Sequence, residues 1–215
     1  MQRATAEQVR HPLFARLYVR LAQGADGRGG AGHRRELLAG ASGRVLEIGA
    51  GAGANFEHYP PTVREVLALE PERHLRERAQ QAAAAAPVPV SVREGVASQL
   101  PVEDAGFDVG VASLVLCTVP DQRLALAELF RVIRPGGELR FYEHVRARKP
   151  GEARVQDIAD ATFWPRIAGG CHLGRDTAAA IAAAGFQLES CRRFAFSPAR
   201  YLPPAAHILG TARRP

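Results

Sequence analysis

Apolar and polar positions along this 215-residue chain follow two periods in turn, the pattern of strands alternating with helices. Val9, Leu13, Phe14, Leu17, Tyr18 and Leu21 recur at helical spacing within residues 4–23, and Pro12 marks a break near His11 because it has no amide hydrogen to give. Gly24–Gly32 contains five glycines and reads as a flexible connection, followed by a short helix over His33–Leu38. Strands are expected at Arg44–Ile48, Glu65–Leu69, Val88–Arg93, Phe107–Leu114, Glu138–His144, Phe186–Phe194 and His207–Ala212. The run at 107–114 is almost wholly apolar, as a central strand buried on both faces must be. The clearest helix covers Asp121–Arg134, with Leu126, Leu129, Phe130 and Ile133 on one face. Further helices fall at Arg73–Ala85, with Pro71 suited to the first turn, and at Thr177–Ala184. Residues 146–173 show no clear period.

This alternation predicts an α/β fold with a doubly wound, mostly parallel sheet of seven strands. The last two strands have no helical pattern between them and are expected to pair antiparallel at one edge. The whole chain reads as a single domain: a helical cap over 1–40, a core over 44–144, a pocket-forming segment over 145–175, and a closing helix with edge strands over 176–215.

Composition changes this picture little. Net charge is +6, carried by arginine, since Lys149 is the single lysine. The arginines are scattered and do not interleave with aromatics, so a solvated basic surface is expected rather than a nucleic-acid partner. No apolar run approaches the roughly 20 residues of a membrane span, and residues 1–7 lack the apolar stretch of a signal peptide. Cys117, Cys171 and Cys191 are far apart and form no C-x-x-C pair, so neither a metal site nor a disulfide framework is indicated, and a cytoplasmic location is expected.

The chemistry gathers around Val45–Phe56. A strand ends in Glu47, and Gly49, Gly51 and Gly53 lead into residues able to open a helix. Glycines let the backbone approach a ligand, and free amides at a helix start face it. Gly49-x-Gly51-x-x-Ala54 alone fits a permissive dinucleotide turn. Glu47 stands where a carboxylate attracts a cation and gains little beside a pyrophosphate. Glu70, about 20 residues on at the end of the second strand, can take both hydroxyls of a ribose.

Together with Glu70-Pro71, the run Gly95–Pro101 and Arg134-Pro135-Gly136-Gly137, this stretch resembles the class I S-adenosylmethionine-dependent methyltransferases. Gly51–Phe56 with Tyr59-Pro60-Pro61, Leu114–Cys117, Glu143-His144-Val145, Gly170–Arg175 and His207–Gly210 narrow the resemblance to small methyltransferases of the type 11 domain, including alkyl thiol S-methyltransferases. The eukaryotic members begin with a hydrophobic membrane segment, which this sequence does not show. The resemblance implies a Rossmann-like core with an N-terminal helical lid, S-adenosyl-L-methionine as cofactor and S-adenosyl-L-homocysteine as product. It implies a small-molecule acceptor, with a monomer or homodimer as the working form. It further implies that Gly49, Ala50 and Gly51 bed the methionine portion and that Glu70 holds the ribose, with Pro71 near the adenine. Val96 and Ala97 take the adenine-contact position, where most relatives carry an acidic residue at Val96. Ser113 and Leu114 face the methionine amine and the methyl, while Tyr18 closes over the cofactor. Glu47 and Asn55 flank the glycine turn and complete the cofactor set.

For catalysis, histidine titrates near working pH. His144, at the carboxyl edge of the sheet, is one candidate base, with Glu143 orienting it or capping a loop. His172 is a second. A thiol needs only a weak base, since its pKa is about 8.5, whereas a hydroxyl needs a stronger one. Acceptors of the O-, N- or C-type, and a cofactor-binding protein without catalysis, remain open alternatives, as does a packing role for Tyr18 and Cys117.

Overall fold

The computed structural model describes Ala15, Val19, Leu21, Ala22 and residues 24–215. Tyr18 and most of the helix expected over 4–23 lie outside the described residues. The glycine-rich stretch is helical rather than a flexible link: a π-helical turn at Asp26–Gly30 runs directly into α1 (Ala31–Leu38), with Gly29 at φ 114° taking up the kink. Then follow β1 (Gly43–Ile48), β2 (Val63–Leu69), α2 (Arg73–Ala83), β3 (Val90–Arg93), β4 (Phe107–Ser113), α3 (Gln122–Val132) and β5 (Ile133–His144). The chain continues through α4 (Pro150–Thr162), α5 (Trp164–Ile167), α6 (Thr177–Ala183), β6 (Gln187–Phe196) and β7 (Ala205–Arg213).

All seven strands form one sheet in the order β3-β2-β1-β4-β5-β7-β6. The first five are parallel, while β7 runs antiparallel between β5 and β6. The expected fold class is therefore what the chain adopts. Its central strands are buried on both faces, with Val45, Leu46 and Ile48 of β1 and Val109, Val111 and Ala112 of β4 essentially inaccessible. Strand order reverses between β1 and β4, and at such a switch point the loops leaving the carboxyl ends part and open a crevice.

Helix starts follow local chemistry. Glu72, Asp121 and Asp176 each accept a hydrogen bond from the amide three residues on, capping α2, α3 and α6. Because Glu72 is the cap of α2, Pro71 stands before the helix and not in its first turn. Helix α3 ends at Val132, so Ile133 and the Arg134–Gly137 break belong to β5. Gly136, at φ 76°, donates its amide to the Arg214 carbonyl, and the Arg214 amide returns a bond to Gly137, so the break stays within the sheet.

Helices α4 and α5 occupy the stretch that shows no period. The reason is physical: α4 buries only Ala153 and Gln156 and leaves Val155 and Ile158 more than half exposed, so apolar position does not mark its inner face.

Candidate active site

A cavity of about 610 Å³ opens at the carboxyl ends of β1, β2, β4 and β5. Gly49, Gly51, Glu70, Pro71, Val96, Ala97, Ser113, Leu114, His144 and His172 all line it. The fold thus brings ten of the candidate residues to one surface, with Ala15, Leu21 and Ala22 of the N-terminal helix on the same wall.

The glycine turn is fixed from several sides. Gly49 has φ 60°, and a Cβ there would stand 2.3 Å from Val115 Cγ2, so both backbone and space demand glycine. The Ala50 amide is spent on the Leu69 carbonyl at 3.1 Å, and Ala50 is not among the lining residues. Glu70 is buried, accepting from the Gly51 amide at 2.8 Å and the Glu72 amide at 2.9 Å. Burial raises its pKa to about 7 against the pull of those two amides. Each carboxylate oxygen still has a lone pair to offer.

Glu47 and Asn55 take a different place from the one expected at the cofactor. Both are buried behind the turn, outside the cavity wall. Glu47 accepts from Asn55 Nδ2 and from the Tyr59 hydroxyl, each at 2.7 Å, and Asn55 Oδ1 accepts from Arg34 at 3.0 Å. Burial lifts the Glu47 pKa to about 7, with the Tyr59 and Asn55 hydrogen bonds opposing it. Side chains alternate along a strand, and Glu47 points away from the loop opening. The guanidinium that reaches the cavity here is Arg34, whose part the sequence did not signal.

The loop after β4 is held by Glu143. One of its oxygens accepts from the Val115 and Leu116 amides at 3.0 and 2.8 Å, and the other from the Cys117 amide at 3.0 Å. Of the two roles open to Glu143, the loop cap is the one it fills. The turn that aims those amides inward places Leu114 at φ 56°, a conformation costly for a side-chain-bearing residue, and the Leu114 amide is tied to the Tyr142 carbonyl at 2.6 Å.

His144 leaves β5 one residue later and faces the opposite side. Its Nδ1 lies 3.6 Å from Cys117 Sγ and 3.7 Å from Cys171 Sγ, and its ring packs, tilted by 42°, against His207 with the centroids 4.3 Å apart. Burial disfavours the His144 cation, but the Cys171 sulfur beside it turns the net shift upward. The Cys117 hydrogen bond leads in holding the Cys171 thiol well below its usual range, with His144 adding to it against burial. His207, buried and facing His144, is pushed down to about 3. His172 is nearer the cavity mouth, with Asp160 at 3.9 Å. Arg175 spends a hydrogen bond of 2.6 Å on the Leu116 carbonyl rather than on a carboxylate.

Linear spacing indicated no metal site, and the fold brings side-chain donor atoms of Cys117, His144 and Cys171 within 4.8 Å of one another. Phe196 at the end of β6 and Pro198, Tyr201 and Leu202 of the segment between β6 and β7 also join the wall, which the sequence pattern gave no reason to expect.

The residues present fit S-adenosylmethionine. Glu70 offers acceptors for a diol, and the wall is mostly apolar. The hydroxyls of Ser98 and Ser113, both on that wall, are buried without a hydrogen-bond partner among the described residues, so each can meet a polar group of a ligand.

Comparison with known proteins agrees. Residues 46–141 match the family described as a methyltransferase domain. An S-adenosylmethionine-dependent methyltransferase from Mesorhizobium loti superposes with a TM-score of 0.64 over 88% of this chain and 100% of its own, at 20% identity. Fold, cavity and family match together define an S-adenosylmethionine-dependent methyltransferase. Human thiol S-methyltransferase TMT1B is 38% identical over 81% of this chain and 73% of its own length. Human thiol S-methyltransferase TMT1A is 36% identical over 73% of this chain and 68% of its own. The chain belongs to the methyltransferase family that contains these two relatives.

Proposed function

We propose that the acceptor is a small-molecule thiol and that the product is its S-methyl thioether. One observation carries this reading: the end of the cavity reached by β4 and β5 presents a His144–Cys171 pair, while Asp121 on the same wall is spent capping α3. Glu143 is spent on three amides. A thiol asks for no stronger base, and the naming of the human relatives supports the same acceptor.

Bound S-adenosylmethionine supplies an electrophilic methyl group on a sulfonium, open to in-line displacement. The protein's share is positioning and exclusion of water. In this reading Glu70 accepts the ribose hydroxyls, and Gly49 and Gly51 let the backbone close on the methionine portion. Pro71, Val96 and Ala97 enclose the adenine, with the Ser98 hydroxyl available where Val96 offers no acceptor. Ser113 and Leu114 face the reacting end. The His144–Cys171 pair accepts the thiol proton, with His172 as a second acceptor nearer the mouth. Residues 145–175 and the N-terminal helix shape the acceptor's side of the pocket. Among the described residues no helix is long and apolar enough to cross a membrane. A reducing cytoplasm is the setting that suits the exposed free thiol of Cys191.

The test is an acceptor panel of small thiols, phenols and amines with S-adenosylmethionine, read as release of S-adenosylhomocysteine. Turnover of thiols ahead of the other classes is expected. Methylation of phenols or amines with thiols untouched would replace the reading with an O- or N-methyltransferase.

A further inference from the structure

We propose that Cys117, His144 and Cys171 form a site for a thiophilic divalent cation, zinc above all, whose fourth position opens into the cavity. The geometry is the first argument. Zinc bonded tetrahedrally to a thiolate at about 2.3 Å and an imidazole at about 2.0–2.1 Å separates sulfur from nitrogen by roughly 3.6 Å. Here His144 Nδ1 stands 3.6 Å from one sulfur and 3.7 Å from the other, and all three donor atoms lie within 4.8 Å. Two sulfurs and one nitrogen converging on a common point, with a gap towards open space, is the ligand set of a zinc ion that keeps an exchangeable position.

Second, the donors are locked before any cation arrives. The Cys117 amide is held by Glu143, and the His172 amide, next to Cys171, donates to the Cys117 carbonyl at 2.8 Å, so the loops carrying the two cysteines are tied to each other. The Cys171 amide is held by the Ala168 carbonyl at 3.1 Å. The ring of His144 is set by its tilted contact with the His207 ring and by the pairing of these two residues across β5 and β7. Third, the surroundings suit a metal thiolate. The buried indole N–H of Trp164 lies on the Cys171 side of the cluster, where a metal-bound sulfur would accept it. The half-buried Arg175 guanidinium is within electrostatic reach of both sulfurs and would offset charge on a metal thiolate.

An acceptor thiol would bind at the open position as thiolate, its S–H proton passing to solvent, and the metal–sulfur lone pair would then attack the methyl carbon while the old carbon–sulfonium bond breaks towards the cofactor sulfur. This consequence rests on the thiol reading; the metal site itself does not. In the loaded protein His144 is a ligand and the metal takes over the part given above to the His144–Cys171 pair.

The full chain, purified reduced and stripped with a chelator, is titrated with zinc and, separately, with cobalt. One zinc per chain is expected, and cobalt should show thiolate-to-metal charge-transfer absorption with the intense visible bands of a tetrahedral site. Cys117→Ser and Cys171→Ser should each weaken zinc binding more than ~100-fold, since even outer-sphere partners of a ligand are worth 10–100-fold, while Cys191→Ser retains it. The wild-type cobalt spectrum needs no variant to fold, and S-adenosylhomocysteine binding by the variants checks that they do. Absence of stoichiometric zinc, a cobalt spectrum without sulfur ligation, zinc binding undiminished in the double variant, or a Cys117–Cys171 disulfide as the resting state would each overturn the site. Thiol methylation by metal-free protein would overturn the metal's part in the reaction and leave the thiol reading standing, whereas zinc binding without thiol turnover would overturn the thiol reading and leave the metal site standing.

Discussion

The two ends of the cavity are built in different ways. The frame of the cofactor end comes from neighbours in sequence: β1, its glycine turn, β2 and Glu70 span 28 residues, with Val96, Ala97, Ser113 and Leu114 added from further along the chain. The acceptor end is assembled from afar. His144 stands 27 residues from Cys117 on one side and 27 from Cys171 on the other, and the wall is completed by the segment between β6 and β7. A local construction binds what a whole fold class shares. A dispersed one can change one loop at a time, which is how a single scaffold takes new acceptors.

If the ends are separable, variants should divide cleanly between them. The largest effect expected is from Glu70→Ala, which removes two hydrogen bonds from ribose to a charged group at about 1.5–3 kcal/mol each, weakening S-adenosylhomocysteine about 10²–10⁴-fold by calorimetry. The cobalt spectrum of the acceptor end should not change, and its loss would show the ends to be one unit. Next, His144→Ala should lower kcat/KM for thiols about 10²-fold while S-adenosylhomocysteine affinity stays within about twofold. A matching loss of cofactor affinity would break the comparison from the other direction.

Smaller effects sharpen it. Asn55→Ala leaves Arg34 and Glu47 without their bridge and should cost about 1–3 kcal/mol in urea unfolding, because buried polar groups lose their partner. Its effect on thiol KM should be slight. The smallest shift comes from pH. Glu70 at about 7 is protonated in part near neutrality. The ribose prefers its carboxylate, so S-adenosylhomocysteine should bind about fivefold more weakly at pH 6 than at pH 7, levelling off above pH 8. Glu70→Gln should flatten that profile. Fold stability of the cofactor-free chain has the opposite slope. Glu47, Glu70 and Glu143 all sit at about 7 when folded against 4.5 unfolded, so the folded chain holds more protons and its urea midpoint should fall as pH rises from 4.5 through 7.

The same contrast explains what the sequence showed. Strand order, the glycine turn and Glu70 were legible because short-range spacing fixes them. Position alone placed Glu47 and Asn55 near the cofactor, yet which way a strand's last side chain points depends on the sheet, and both turned inward to buttress the loop. Residues 150–167 hid their helices because α4 and α5 leave Val155, Ile158 and Ile167 exposed. The cysteines were read as packing because no linear motif joins 117 to 171; only the paired ends of β4 and β5, with the segment after α5, bring them together.

The place of β7 has a consequence for the order in which the protein is made. This strand follows β6 in the chain but lies between β5 and β6, and it carries His207, on which His144 rests. During synthesis the five parallel strands, with the complete glycine turn, can pair and close on a methyl donor while β6 still waits for its neighbour and the acceptor end has no floor. A chain halted before residue 205 is therefore expected to be a sink for the donor that transfers nothing, and quality control would meet it as a half-sheet with one open edge.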